Sequence, residues 1–278
     1  MTTVVVTGSS GKAGRAIVRD LAADYELIAV DMLPAPSGQA GNYCKADLTD
    51  LGQCYDLLQG ADMLVHMANI PAPGLVSRER TFNNNISMNY NMFQAACDLG
   101  LKRVVWASSE TTLGLPFEIP PKYAPVDEAH FPLPESSYAL SKVLTEQMAE
   151  QFHRWSGIPF IGLRFSNILN EEVYKTFPTS CWPDAHARKW NLWGYIDERD
   201  VAQACRKSLT ADVDSAENVI IAANDTVMNR PSRDLMAEVF PSVPVADHLP
   251  EYGTLLSNQQ AKALLGFDPQ VSWRDTLD

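Results

Sequence analysis

Positive charge is scarce in this chain: 22 lysines and arginines stand against 34 aspartates and glutamates, a net charge of -12 over 278 residues. That balance argues against a nucleic-acid partner, because binding phosphate backbones takes a concentration of Lys and Arg. Long apolar runs are missing too. No stretch approaches the roughly 20 uninterrupted apolar residues of a membrane span. Thr2-Thr3-Val4 lacks the basic start and apolar middle of a signal peptide, so a cytoplasmic location is expected. Cysteine is sparse and scattered. Cys44, Cys54, Cys97, Cys181 and Cys205 form no CxxC pair and no cluster with zinc-ligand spacing, so free, mostly buried thiols are expected. Repeats and low-complexity tracts are absent. What remains, 46% hydrophobic and 20% charged, is the balance of a globular protein with a substantial core.

Apolar strand-like runs alternate with amphipathic stretches through the first half. Val4-Val5-Val6, Leu27-Ile28-Ala29-Val30, Met63-Leu64-Val65-His66-Met67 and Arg103-Val104-Val105-Trp106-Ala107 read as strands. Helical stretches between them carry Ile17, Val18 and Leu21, then Leu51–Leu58, then Met88, Met92, Phe93 and Ala96. β-Branched runs separated by helices predict an α/β fold, a doubly wound parallel sheet of Rossmann type. A helical period over Tyr138–His153 and a strand over 159–165 extend the pattern. Residues Asn170–Trp193 carry Pro178, Pro183 and three tryptophans with no clear period. The expected division is a cofactor-binding core at 1–168 and a small carboxy-terminal substrate-binding cap at 169–278, with 195–222 returning to the core.

Thr7-Gly8-Ser9-Ser10-Gly11-Lys12-Ala13-Gly14 joins the first strand to the first helix. Glycines there permit a tight turn and let the backbone approach a pyrophosphate, whose charge then lies on the helix amino end. Asp31 closes the second strand. A carboxylate at that place accepts hydrogen bonds from the adenosine ribose hydroxyls and repels a 2′-phosphate. Met32, Leu33 and Pro34 offer such a phosphate no cation, which points to NAD rather than NADP.

Tyr138-Ala139-Leu140-Ser141-Lys142 puts a phenol and an ammonium four residues apart, on one helix face. The lysine is expected to stabilise the phenolate, lowering the tyrosine pKa from its ordinary value of about 10. Tyr138 then exchanges a proton with a substrate hydroxyl while hydride moves. Ser109, with Ser108 as its neighbour, sits at the carboxyl end of a central strand, where a hydroxyl can hold the substrate oxygen.

Taken together and in this order, these residues resemble the extended short-chain dehydrogenase/reductases, specifically the NAD-dependent epimerase/dehydratase family. Further matches are Ala46-Asp47-Leu48, Leu64-Val65-His66-Met67-Ala68-Asn69, Asn85, Leu163-Arg164-Phe165-Ser166-Asn167 and Tyr195–Ala202. The resemblance implies a Ser109–Tyr138–Lys142 site in which Lys142 also holds the nicotinamide ribose. It implies Asp47 and Leu48 beside the adenine, Met67, Ala68 and Asn69 along the cofactor, and Asn85 supporting the site from its helix. Leu113-Gly114 stands where the family often has Tyr-Gly. Ser109-Glu110-Thr111 lacks the acidic pair of the dehydratases, so dehydration is disfavoured.

Between Leu169 and Gly194 the only cations are Lys175, Arg188 and Lys189, too few for a firm diphosphate clamp. The layout is closer to uronate dehydrogenase-like members, whose carboxylate-binding arginine Arg188 would match; Ser108, Ser109, Glu110 and Asn167 are the other candidate substrate contacts. His66 is read as structural. The expected partner is a small sugar, sugar acid or nucleotide sugar, and a homodimer could form through the Met88–Ala96 and Leu140–Phe152 stripes. Three readings stay open: a sugar or sugar-acid dehydrogenase, an epimerase with transient oxidation, and a non-catalytic NAD-binding regulator or scaffold. Asp31 yields the first prediction: NAD binds more tightly than NADP, and Asp31→Ser narrows that ratio by roughly tenfold, about 1.4 kcal/mol. Fluorescence titration with both dinucleotides tests this, and a wild-type preference for NADP refutes it.

Overall fold

The strand-forming runs have no solvent-facing side at their centres. Val4, Val5, Val6, Ala29, Val30, Leu64, Val65, Val104 and Val105 are all fully buried. A strand covered on both faces belongs in a parallel sheet between helical layers. The computed structural model describes residues 1–130 and 132–277. Its strands are β1 (Thr3–Thr7), β2 (Glu26–Asp31), β3 (Asn42–Lys45), β4 (Met63–His66), β5 (Arg103–Ser109), β6 (Phe160–Phe165), β7 (Ile168–Leu169), β8 (Ile196–Asp197) and β9 (Ala216–Ile221). Seven of them pair in parallel in the order β3-β2-β1-β4-β5-β6-β9, and β7 with β8 forms a separate parallel pair. The chain winds outward from β1 through β2 to β3, then returns to β4 on the other side. That reversal opens a crevice beyond the carboxyl ends of β1 and β4, where such sheets bind ligands.

Helices α1 (Lys12–Leu21), α2 (Leu51–Leu58), α3 (Arg78–Asp98) and α4 (Ser137–Ser156) precede two single turns, α5 (Glu171–Tyr174) and α6 (Phe177–Ser180). They are followed by α7 (Glu198–Thr210), α8 (Ser232–Val239) and α9 (Gln259–Leu265). One sheet face buries Ile17 and Leu21 of α1 with Val201 and Cys205 of α7. The other buries Leu58 of α2, Phe93 of α3 and Phe152 of α4. Met88, Met92 and Ala96, offered by the sequence as part of an inter-subunit stripe, are used in this internal core instead. Leu140 and Leu144 of α4 do face outward. No helix among the described residues is long and apolar enough to cross a membrane.

The carboxy-terminal segments pack into a second hydrophobic cluster. Tyr174, Phe177, Trp193, Leu235, Leu256 and Trp273 pack there, joined by Leu113, Phe117, Ala124 and Val126 from before α4. Contact across about 130 residues of chain is invisible to local periodicity, which is why the sequence put these four with the first 168 residues. The stretch Asn170–Trp193 lacks a period because it is assembled from single turns: α5, α6 and a 3₁₀ segment over Ala185–Asn191. β3 escaped the sequence reading because its four residues form a short edge strand with no fully buried side chain.

The glycine turn is packed to its limit. Gly8 has φ +68°, and a Cβ on it would lie 2.8 Å from the Ala68 backbone nitrogen. A Cβ on Gly14 would collide with the Gly8 carbonyl oxygen and lie 2.7 Å from Ser9 Cα. The colliding atoms are backbone, so relief requires moving α1. Gly14→Ala is therefore expected to destabilise by about 2–3 kcal/mol, as overpacking does, and to weaken dinucleotide binding. Thermal unfolding with and without NADH measures both, and a wild-type melting temperature would refute the packing argument.

Candidate active site

The crevice encloses about 1340 Å³, above the roughly 300–1,000 Å³ of pockets for drug-sized ligands. At one end Gly8, Gly11, Lys12, Ala13 and Gly14 line it. Gly11 has only the Gly8 carbonyl near its missing Cβ, so the turn presents open backbone to a ligand. Asp31 lines the crevice and is held from both oxygens, accepting from Ser10 N and Leu33 N at 2.9 Å each. Ser10 itself is not among the lining residues. Its hydroxyl donates to Pro34 O at 3.1 Å, so Ser10 secures Asp31 and does not face the cofactor as the sequence suggested.

Asp47, Leu48, Met67, Ala68 and Asn69 all line the crevice. The Asp47 carboxylate accepts from the backbone and hydroxyl of Thr49 at 2.9 and 2.7 Å. Asn85 supports the site from its helix as expected, but its assignment as a cofactor contact is corrected. Asn85 is fully buried, its Oδ1 accepts from Ile70 N at 2.8 Å and its Nδ2 donates to Ile70 O at 3.1 Å. Both ends of the amide are spent on the loop after β4, leaving none for a cofactor.

The strand-end and helix residues meet at the crevice floor. Ser108, Ser109 and Glu110 follow the line of β5, while Tyr138 and Lys142 descend from α4, whose amino end Ser136 caps by accepting from Ala139 N at 3.0 Å. Tyr138 and Ser109 both line the crevice, and Ser109 lies near enough to favour the phenolate. The Lys142 ammonium is buried, donates to Ala107 O at 2.5 Å and stands 5.6 Å from the Tyr138 ring centroid. Burial pushes the Tyr138 phenol up to about 12, against the influence of Ser109, with Glu110 adding to the rise. Burial thus acts against the lowering expected from Lys142, and desolvation of the phenolate outweighs the help of Ser109. Burial also pulls Lys142 down to about 7, opposed by Glu146.

A buried ionic network, not foreseen from the sequence, supports this floor. Glu146 accepts from Ser108 Oγ at 2.6 Å and from Arg164 Nε and a terminal Arg164 nitrogen at 2.8 Å each. Glu146 lies one helical turn beyond Lys142, and Arg164 is a lone charge within the apolar β6. Those two signals were legible, but only the fold makes them a pair. Ser108 is thereby oriented by Glu146, and Ser109 is the hydroxyl beside the phenol.

Glu110 is buried and accepts from Ser166 Oγ at 2.5 Å and Asn191 Nδ2 at 3.2 Å, joining β5 to the cap. Asn167 and Trp190 line the crevice; Arg188 does not. Arg188 stacks 4.9 Å from the Trp190 ring centroid and donates to Gly194 O at 3.1 Å. Its expected contact with a substrate carboxylate is replaced by these protein contacts. Arg80, in the first turn of α3, lines the crevice and has no ion pair among the described residues.

Residues 4–222 match the NAD dependent epimerase/dehydratase family. The chain belongs to that family. It is 24% identical over 282 residues to the NAD-dependent glucose-6-phosphate dehydrogenase of Haloferax volcanii, covering 96% of this chain and 92% of the relative. It is 29% identical over 178 residues to the uronate dehydrogenase of Pseudomonas syringae pv. tomato, covering 60% of each. Among solved structures, a short-chain dehydrogenase/reductase superfamily protein from Agrobacterium tumefaciens with bound NAD superposes with a TM-score of 0.75 at 21% identity, over 99% of this chain and 94% of that one. The glucuronic acid dehydrogenase of Chromohalobacter salexigens superposes with a TM-score of 0.70 at 22% identity, over 99% and 88%. This member of the family is an NAD-dependent enzyme. The open backbone at Gly11, the oriented Asp31 carboxylate and the size of the crevice fit NAD.

Glu110 supplies a pH prediction. Burial pushes its carboxyl up to about 7, against hydrogen bonds from Ser166, Asn191 and Asn167 that favour the anion. A raised folded-state value means that its contribution to stability is fully present below the ordinary carboxyl range and is lost as pH rises through about 7. Glu110→Gln should thus gain melting temperature relative to wild type between pH 5 and pH 8. A difference that is flat across that range would contradict the burial argument.

Proposed function

We propose that this protein is a dehydrogenase that oxidises a hydroxyl-bearing carbon of a free sugar or sugar acid, with Tyr138 as acid/base. The observation that carries the reading is that Ser109, Tyr138 and Lys142 line one crevice together with a glycine turn shaped for a dinucleotide. NAD, when bound, supplies the hydride acceptor and the positive charge of its oxidised ring. Ser109 holds the substrate oxygen, Tyr138 takes its proton, and the buried Lys142 ammonium favours the phenolate as it forms. Gly8, Gly11 to Gly14, Asp31, Asp47, Leu48 and Met67 to Asn69 make up the wall along which the dinucleotide lies.

The cap supports a substrate without a diphosphate. Lys175 pairs with Glu172 at 2.7 Å, Lys189 with Glu118 at 3.7 Å, and Arg188 is stacked on Trp190. None of the three lines the crevice. An acidic substituent on the sugar would be received by Arg80. The glucose-6-phosphate dehydrogenase of Haloferax volcanii, matched over 92% of its length, supports a dehydrogenase. Exposed Leu140, Leu144 and Trp155 of α4, with Tyr90 of α3, support a homodimer through those helices.

A screen of aldoses, sugar acids and nucleotide sugars with NAD, followed at the absorbance of NADH, tests the reading. NADH accumulates with a dehydrogenase; conversion of a sugar without accumulation would establish an epimerase instead. Tyr138→Phe should lower kcat by about 10²–10⁴-fold, the usual worth of a positioned acid/base, with NAD affinity nearly unchanged. Full turnover in that variant would overturn the assignment.

A further inference from the structure

Beneath the reacting groups runs a seam of buried polar side chains that neither the glycine turn nor the tyrosine–lysine pair explains. Thr7 of β1, His66 of β4, Asn89 of α3, and Thr145 and Ser141 of α4 are each fully buried. Counting donors fixes the direction of every link. Thr7 Oγ1 accepts from Met67 N and Ala68 N, both at 3.1 Å, so its own hydrogen is free for His66 Nδ1 at 2.7 Å. With Nδ1 accepting, the ring proton lies on Nε2 and is donated to Asn89 Oδ1 at 2.9 Å. The other end of that amide donates to Thr145 Oγ1 at 3.0 Å, and Thr145 donates to Ser141 O at 2.8 Å. Within α4, the Ser141 hydroxyl makes its own bond, donating to Tyr138 O at 2.7 Å.

We infer that Asn89 is a positioning residue: by joining His66 to Thr145 it seats α4, and with it the Tyr138 phenol, against the strands that carry the cofactor turn. The inference rests on the reading of Tyr138 as acid/base but adds a residue and a tautomer to it. Asn is suited to the place because one side chain both accepts and donates, as the facing His66 and Thr145 require. A buried network of this kind specifies one arrangement, since any shift of α4 along α3 leaves buried donors unpaired. Both ring nitrogens of His66 are occupied, and burial beside Lys142 pushes the ring down to about 3. His66 is therefore a neutral connector, not a second acid or base.

Two measurements on the full chain without substrate test this. In ¹⁵N-histidine spectra His66, identified by its edge contact with the Phe93 ring, should show only the Nε2–H tautomer from pH 5.5 to 8. A Nδ1–H or averaged signal overturns the seam whatever any variant does. The ¹³Cζ resonance of Tyr138, identified by its loss in Tyr138→Phe, should not titrate below pH 10.5 in wild type. In Asn89→Leu, and in the milder Thr145→Val, water should reach the loosened phenol so that it ionises about tenfold more readily, one pKa unit. A folded variant with an unchanged Tyr138 titration overturns the positioning role, because a purely structural residue would alter the melting temperature alone. Full turnover in Tyr138→Phe would instead remove the acid/base reading and leave the tautomer and titration results standing.

Discussion

An ammonium taken out of water must be satisfied by whatever surrounds it, and the site is arranged around that demand at Lys142. Its charge donates to the carbonyl of Ala107, which ties α4 to the end of β5. Glu146, one turn further along the same helix, keeps a negative charge nearby and is itself clamped by Arg164. Leaving any of these groups unpaired in a dry interior costs several kcal/mol. The helix therefore has few alternative seats, and the phenol at its amino end inherits that restriction. The bond from Lys142 to Ala107 thus helps set where Tyr138 stands at the crevice.

A second constraint acts from the other side of the crevice. Gly8 and Gly14 let β1, β4 and α1 approach until no Cβ would fit between them. The gap opened by the reversal of strand order then has a floor of backbone at one end and of side chains at the other. Between the two, the run from Thr7 through His66 and Asn89 to Thr145 makes the walls one hydrogen-bonded body. Pre-set geometry of this kind matters because a catalytic group misplaced by about 1 Å can lose about 10²-fold in rate.

The buried charges also explain where simple motif logic stopped. A lysine four residues after a tyrosine suggests a lowered phenol pKa, and that holds when both groups keep most of their hydration. Here both groups are dry, so desolvation dominates and pushes the phenol up and the ammonium down. Arg188 shows the same limit in another form. A lone arginine in the variable segment looked available, yet the fold gives it an aromatic face and a carbonyl. Arg80 drew no notice in the sequence, because nothing local distinguishes an arginine in the first turn of a helix from a solvated one.

The sheet and its helices were legible because their information is local: β-branched runs, a 3.6-residue period and glycines at a strand–helix junction each act within a few residues. The glycine turn, Asp31, Ser109 and the Tyr138–Lys142 spacing were legible for the same reason. Asn85 and Ser10 were located but misjudged as cofactor contacts, since whether a polar side chain faces a ligand or its own backbone depends on neighbours distant in the chain. The carboxy-terminal cluster, the Glu146–Arg164 pair, the burial of the Met88–Ala96 stripe and the direction of the His66–Asn89 seam came only with the tertiary structure. Each depends on contacts between segments tens of residues apart, and it is burial, not residue type, that decides what charge or proton such a group will carry.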